Sequence, residues 1–302
     1  MSASKYSTEL KEFNNGSKFA EYLENEAKKH KHFHHYTNMK TLELILKNKT
    51  LKFTRGNSKS LNDWHEPQVK GDKKYWDKTY IACFSFDDNK AELEKNYDSE
   101  IMAMWELYGL PSNEAVRISL AKDKMRDLID ISNKKVKEKQ NLIYLDGEKQ
   151  ETILAYKIEK IVLSDVFYVK GTDNDEKVSI QQNHYGVPVH FKLTNSDNLH
   201  DFLQNWFFTG YVKNYAWGYE KEVRIILTLK DKIDKEELFM EIPDEIISSF
   251  QVTLGPSFFK SELDKPSDDI ILETIKRNLN KFGIDKNKVR RSLFTGQVHF
   301  KK

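Results

Sequence analysis

The chain is 302 residues long, enough to bury one large core or two smaller ones. With 32% charged, 38% hydrophobic and 12% aromatic residues, its composition is that of a globular chain and excludes a disordered one. The net charge of +2 excludes a polycation, so a nucleic-acid contact needs a local basic patch; the single cysteine, Cys83, excludes an internal disulfide and a cysteine-based zinc cluster. A reducing cytosol is the expected compartment, and no membrane partner is expected: residues 1–30 hold no apolar core of signal type, and no stretch reaches the length of a bilayer span.

Residues 17–32 read as a helix, with Ser17 in the N-cap position and Phe19, Tyr22 and Leu23 on one face. A histidine-rich run, His30 to His35, overlaps a short extended segment from Phe33 to Tyr36. Asn38 is placed to cap a helix over 39–48, whose Met39, Leu42, Ile45 and Leu46 form an apolar stripe. Residues 50–54 alternate as a half-buried strand, Gly56 to Lys78 form a long polar loop, and 79–86 read as a buried strand. Ser99 heads a helix carrying Ile101, Trp105 and Tyr108, and 115–120 form another strand with Val116, Ile118 and Leu120 on one side.

From 122 to 160 the pattern is helical, with a turn signal at Asp146-Gly147. A strand over 161–169 and a charged loop over 171–184 follow. The clearest helical spacing is at 197–210, where Leu199, Phe202, Leu203, Trp206 and Phe207 share a face. A strand over 217–229, a strand over 250–254 with the turn Gly255-Pro256, a helix over 262–281 capped near Ser267 or Asp268, and a last strand within 288–299 complete the reading. The expected fold is α+β, a central mixed or antiparallel sheet with flanking helices. Residues 1–34 are expected as a helical extension, 35–260 as the core, and 261–302 as a helix-strand annex packed on it.

The chain has no Walker A loop, no Gly-x-Gly-x-x-Gly, no Gly-x-Ser-x-Gly and no His-Glu-x-x-His, so a nucleotide site would lack a glycine-rich phosphate cradle. The most informative stretch is Trp217-Gly218-Tyr219-Glu220-Lys221-Glu222-Val223-Arg224. Strand alternation puts Glu220, Glu222 and Arg224 on one face and Val223, Ile225 and Leu227 on the other, with Lys221 the one charge on the apolar side. Two carboxylates this close raise at least one pKa unless a cation intervenes, and Arg224 is that cation. The same pattern also fits an exposed ion-pair ladder on a half-buried sheet. The histidine run fits either a metal site or a solvated basic patch. Asp63, His65 and Glu66 fit either a divalent-cation site or an ordered turn. Cys83 reads as a small core residue, and Trp105 and Tyr108 as core or as a stacking platform.

These segments together resemble a bacterial family of unknown function, DUF2971. The resemblance runs over residues 35–260. It is carried by His35-Tyr36-Thr37, the block from Leu42 to Leu51, Phe53, Leu61-Asn62-Asp63 with Glu66, and Ala82-Cys83-Phe84-Ser85. It continues through Met104-Trp105, Tyr108-Gly109, Val116 to Leu120, Lys213, Trp217, Tyr219, Glu220, Glu222, Arg224 and Leu254-Gly255-Pro256. The charged loop after Glu66, Gly109-Leu110-Pro111 and residues 122–160 depart from the pattern.

A second resemblance, at fold level, is to ADP-ribosyltransferase-like proteins, including DNA- and RNA-modifying toxins. The matching positions, in order, are His35, Ser85 and the pair Glu220 and Glu222. This resemblance implies an ADP-ribosyltransferase-like core that uses NAD as substrate and requires no metal. Glu222 would hold the nicotinamide ribose 2′-hydroxyl and stabilise an oxocarbenium-like state. Glu220 would orient or deprotonate the acceptor, and Ser85 would stand near the nicotinamide. His35 would fix the adenosine ribose, Tyr36 or Trp217 would stack on a ring, Arg55 would pair with the pyrophosphate, and Thr37 and Tyr219 would be NAD-binding residues with them.

His35, Ser85 and Glu222 are therefore expected to line one cleft. The expected function is an ADP-ribosyltransferase or NAD glycohydrolase acting as a toxin or anti-phage effector. Its acceptor is nucleic acid or protein, and the lysine-rich end from Lys286 to Lys302 is able to meet phosphates. The alternatives are a non-catalytic module that senses a nucleotide or a phage component, and a metal-dependent nuclease centred on Asp63, His65 and Glu66.

Overall fold

A computed structural model describes residues 11–13, 16–58, 61, 73–86, 100–145, 149, 152–153, 157–169, 180–184, 187–193, 210–258 and 266–295. In chain order the elements begin with β1 (Lys11–Phe13), α1 (Gly16–Ala27), β2 (His32–Asn38), α2 (Met39–Asn48), β3 (Thr50–Arg55), α3 (Lys73–Trp76) and β4 (Thr79–Phe86). They continue with α4 (Met102–Tyr108), β5 (Ala115–Ala121), α5 (Lys122–Lys137), β6 (Ile143–Tyr144), β7 (Thr152–Ile153), β8 (Ile158–Asp165) and β9 (Phe167–Val169). The rest are β10 (Ile180–His184), β11 (Val187–Leu193), β12 (Val212–Asn214), β13 (Glu222–Leu229), β14 (Glu237–Glu241), α6 (Asp244–Ile247), β15 (Gln251–Leu254), α7 (Pro266–Asn280) and β16 (Val289–Arg291). The fold is α+β with a mixed sheet, and among the described residues no helix is long and apolar enough to cross a membrane.

The chain divides into two compact units, each assembled from three segments. The first comprises Met1–Lys29, Phe53–Ala82 and Lys157–Glu237, the second His30–Lys52, Cys83–Tyr156 and Leu238–Lys302.

In the second unit β5 lies between β2 and β15, antiparallel to both, and β16 joins β15 in parallel. β2 also pairs with the end of β4, Phe33 opposite Phe86 and His34 opposite Ser85. α2 and α5 both pack on β2 and β5. α2 forms because Leu42, Ile45 and Leu46 recur at helical spacing and are all buried. Asn38 caps it, its side chain accepting from Thr41 N at 2.9 Å, and the left-handed Lys49 ends it. α5 buries Met125, Leu128 and Ser132, and carries Asp123 in its first turn and Lys134, Lys135 and Lys137 in its last, in keeping with the helix dipole.

The other face of β2 holds Tyr36, whose ring meets Trp105 of α4 edge-on at 4.9 Å. Gly255 completes that cluster. A Cβ there would lie 2.8 Å from the Ala115 Cβ and 3.0 Å from the Ala115 carbonyl oxygen, so only glycine lets β15 leave the sheet at this point.

In the first unit β13 pairs antiparallel with β8 from Val223 opposite Asp165 to Leu229 opposite Ile158. α1 packs on β8, with Phe19 edge-on to Phe167 at 5.0 Å. β9 and β12 form a parallel pair, and β1, β11 and β10 a three-stranded sheet.

Several sequence expectations change. α1 stops at Ala27, not at residue 32. The helix expected over 122–160 ends at Lys137; Lys139 is left-handed with φ 57°, and β6, β7 and the start of β8 follow. The run of charged residues in this region mimics a helical surface, while the strands that follow are held by pairing that no local pattern reveals. Residues 180–184, expected as loop, form β10. The strand expected over 217–229 starts at Glu222, since Tyr215–Glu220 is a 3-10 helix and Lys221 is left-handed with φ 46°. Ser99, the Asp146-Gly147 turn and nearly all of the helix expected over 197–210 lie outside the described residues.

The Asn38 side chain also donates to Leu110 O at 2.8 Å. Asn38→Ala is expected to destabilise the protein by about 1 kcal/mol in urea denaturation. Asn38→Asp, which keeps the acceptor but not the donor, should fall between that variant and the parent.

Candidate functional site

The first unit contains a buried cluster of four charges. Lys213, from β12, extends its ammonium to Glu220 and, at 3.0 Å, to Glu222; the first contact is 2.5 Å long. Arg224 donates through Nε to Glu222 Oε1 at 2.7 Å and through Nη2 to Glu222 Oε2 at 3.2 Å. Its Nη1 reaches Gly210 O at 2.9 Å. Each of the four residues is at most 4% exposed. Among the described residues the two carboxylates and two cations of this cluster balance one another, which offsets the cost of burying them.

The backbone explains how the four meet. Glu222 and Arg224 share a face of β13 as i and i+2. The left-handed Lys221 turns the chain between Glu220, at the end of the 3-10 helix, and Glu222 at the start of the strand. Lys213 sits opposite Tyr168 in the β9–β12 pair. Tyr168 in turn accepts from Glu222 N at 2.8 Å. Burial, and then the negative charge of Glu222, push the Tyr168 hydroxyl well above its ordinary pKa. Trp217 and Tyr219 lie on the 3-10 helix with ring centroids 6.1 Å apart, and the Lys213 ammonium is 4.9 Å from the Trp217 centroid. Tyr219 is exposed. The expected exposed ion-pair ladder is therefore corrected: the charges are buried, and Glu220 reaches the cluster from a helical turn rather than from a strand face.

The remaining candidates sit in the second unit, apart from Arg55. The register assigns them to faces. His34 lies opposite Ser85 and Ser119, so these three share a face with Tyr36 and Arg117. His35, opposite Ile118, lies on the other face. The expected convergence of His35 with Ser85 is thus not what this sheet makes; His34 is the histidine beside Ser85. The His34 Nδ1 and Ser119 Oγ are 2.8 Å apart, and the Arg117 guanidinium lies 5.9 Å from the Tyr36 ring centroid. The Ser85 Oγ is buried and has no hydrogen-bond partner among the described residues.

On its own face His35 borders a cavity of about 20 Å³ shared with Ile45, Leu51, Phe84, Ile118, Leu128 and neighbouring apolar side chains. This space holds at most a single water and no part of a nucleotide. The His35 Nδ1 lies 3.0 Å from Cys83 O, and since a carbonyl only accepts, that nitrogen carries the proton of the neutral ring. Regular β2–β4 pairing stops after His34, so the ring satisfies a carbonyl where the ladder ends.

Tyr36 is buried, and its hydroxyl accepts from Ile101 N at 3.0 Å, so Tyr36 is not an exposed stacking ring. Thr37 is buried too. Arg55 is paired with the Glu236 carboxylate instead of standing ready for a pyrophosphate. Asp63, His65 and Glu66 lie outside the described residues; among those described, no group of three or more His, Cys, Asp or Glu side chains is placed to hold a metal ion. His30, from the histidine run, is buried and stacked on Phe86 at 3.6 Å. Lys213, Tyr168 and the Gly210 carbonyl were not among the site residues expected from sequence. Lys213 lies seven and nine residues before the glutamates it bridges, and it reaches them from β12 across the 3-10 helix rather than along one element.

Two stability measurements test this geometry. Arg224→Met, which leaves Glu222 buried with half its partners, is expected to cost about 3–5 kcal/mol in urea denaturation. The neutral double variant Lys213→Met with Glu220→Gln should cost less than Lys213→Met alone. For His35, burial lowers the pKa below its ordinary 6.5, Lys52 acts in the same direction, and the bond to Cys83 opposes both. The unfolded chain then takes up the proton first as pH falls. This contribution to stability is full above pH 6.5 and declines below it, toward the lower folded pKa. His35→Gln should flatten the dependence of unfolding free energy on pH in that window.

No curated protein and no solved structure matches the chain. The model of one family, described as "Protein of unknown function (DUF2971)", matches residues 104–225, a narrower span than the 35–260 expected, and one that contains the whole Lys213, Glu220, Glu222 and Arg224 cluster.

Proposed function

We propose that the protein cleaves NAD at the nicotinamide–ribose bond, as an ADP-ribosyltransferase or NAD glycohydrolase of the toxin or anti-phage effector type. The observation that carries this reading is the Glu220 and Glu222 pair, held by Lys213 and Arg224 beside Trp217 and the exposed Tyr219. In the proposed reaction nicotinamide leaves with the electron pair of the C1′–N bond, and the ribose passes through an oxocarbenium-like state. A carboxylate fixed by two cations needs no reorganisation as positive charge develops, which is where electrostatic stabilisation is most effective. The nucleophile, water or an acceptor group on nucleic acid or protein, bonds to C1′ and gives its proton to Glu220. Trp217 and Tyr219 offer ring faces for a heteroaromatic ligand.

A second reading is favoured by the enclosure of Glu222, both of whose carboxylate oxygens receive hydrogen bonds inside the cluster. In that reading the cluster is a structural clamp in a non-catalytic module that binds a nucleotide.

Nicotinamide release from NAD by the purified protein separates the two, with DNA, RNA and cell lysate as added acceptors. Transferase chemistry predicts turnover that falls by about a hundredfold or more in Glu222→Gln and in Glu220→Gln while circular dichroism stays unchanged. Nucleotide binding without any release, unaltered in Glu222→Gln, would instead establish the non-catalytic module.

A further inference from the structure

Residues 276–291 hold seven lysines and arginines against one acidic residue, Asp285, a net charge of +6 in a chain whose total is +2. The rest of the chain is therefore net acidic. The structure folds this stretch into the end of α7, a tight turn, a 3-10 turn at Lys286–Lys288, and β16. Three of its apolar residues, Leu279, Ile284 and Val289, are buried. The turn is fixed by Ile284 N donating to Leu279 O at 3.3 Å, by Asn280 donating to Ile284 O at 3.2 Å, and by Gly283 at φ 87°. The cations are thus presented from a rigid frame.

Most of them have local partners. Lys276 pairs with Glu273 at 2.9 Å, Arg291 with Asp269 at 2.7 Å, and Lys288 donates to Ser248 O at 2.9 Å. Arg277 donates to Glu273 O and Thr274 Oγ1 at 3.3 Å, Lys281 to Asn278 Oδ1 at 3.2 Å and Arg290 to Thr253 Oγ1 at 3.4 Å, yet these three and Lys286 are exposed, and Phe282 stands within the same stretch, 41% exposed. The helix dipole accounts for cations in the last turn of α7 but not for Lys286 and Arg290, which lie beyond it.

We infer that this surface binds single-stranded nucleic acid, the cations meeting phosphates and Phe282 stacking on a base. Basic side chains combined with an exposed aromatic ring are what an unpaired strand requires, because its backbone carries one charge per nucleotide and its base faces are uncovered. An anionic membrane is the poorer match. A helix that lies on a bilayer carries its lysines and arginines beside its apolar stripe. In α7 the exposed Ile270 and Ile271 lie instead next to Asp268 and Asp269, at the opposite end from the basic residues. The inference deepens the proposed function by naming nucleic acid as the acceptor class. Its test is made without NAD, so that either reading can fail alone.

Fluorescence anisotropy of labelled single-stranded RNA and DNA of about 20 nucleotides, titrated with the full chain across a salt series, reads the contact directly. Affinity is expected to fall with salt by a log–log slope of about 0.7 per phosphate contact. The triple variant Arg277→Gln, Lys281→Gln, Lys286→Gln should keep its Tm, bind about tenfold or more weakly, and lose about 2 units of that slope. Phe282→Ala should weaken binding roughly tenfold with the slope unchanged. Absence of binding at low salt would overturn the inference. So would equal binding by the triple variant, unchanged affinity in Phe282→Ala, or binding to phosphatidylserine vesicles in place of either nucleic acid.

Discussion

Four charges withdrawn from water have to be compensated within a few ångströms, and in the first unit that requirement organises everything around β13. A lone buried glutamate would take up a proton or unfold its surroundings. Here Glu222 receives donors from two cations, and Arg224 also donates through Nη1 to a backbone carbonyl. Each member is therefore a condition for the others. The 3-10 helix must end where it does to deliver Glu220, Lys221 must turn back, and the β9–β12 pair must hold Lys213 at the right height. Such a cluster contributes little net stability compared with an apolar core of equal volume, yet it penalises any arrangement in which one partner is displaced. It specifies geometry more than it strengthens the fold.

The second unit solves a different problem. Its sheet has an apolar face under α2 and α5 and a polar face carrying His34, Ser85, Ser119, Tyr36, Arg117 and Thr253, and both are buried. On the apolar side His35 is tolerated because its one N–H has a fixed acceptor and its ring can stay neutral. On the polar side a hydroxyl without a partner among the described residues, that of Ser85, lies opposite an imidazole already bonded to a serine. The two neighbouring histidines thus have opposite surroundings, one apolar and one polar, although they are adjacent in sequence.

The parts of the fold that were legible beforehand are those set by local chemistry. The Asn38 cap, the stripe of Leu42, Ile45 and Leu46, the apolar run of β4 and the short strand β15 follow from periodicity and capping within a few residues. What was hidden depended on distant partners. β6 and β7 are two-residue strands, Ile-Tyr and Thr-Ile, held by pairing and too short to show a strand period. Glu220 looked like a strand residue because charge alternates through it, and the left-handed Lys221 breaks that alternation without a glycine to announce it. The pairing of carboxylates with Arg224 was readable at i and i+2, whereas Lys213 was not, since its role is defined only after β9 and β12 have met. His35 and Ser85 were grouped by their order along the chain; register, which decides faces, is a tertiary property.

The interleaving of the two units bears on how the chain reaches its native state. Each unit draws on three stretches separated by the other's residues, so neither can be finished from one continuous piece. On a ribosome, β2 is made early but meets β5 only after about 80 further residues, and β15, which closes the far side of β5, is made more than 200 residues after β2. Pairings between such remote segments carry a large loop-closure entropy and give slow folding. The nascent chain consequently travels a long way with strand edges uncovered, and those edges are natural clients for a chaperone. Under the proposed NAD-cleaving function, this delay would also postpone the appearance of that activity until almost the whole chain has been synthesised.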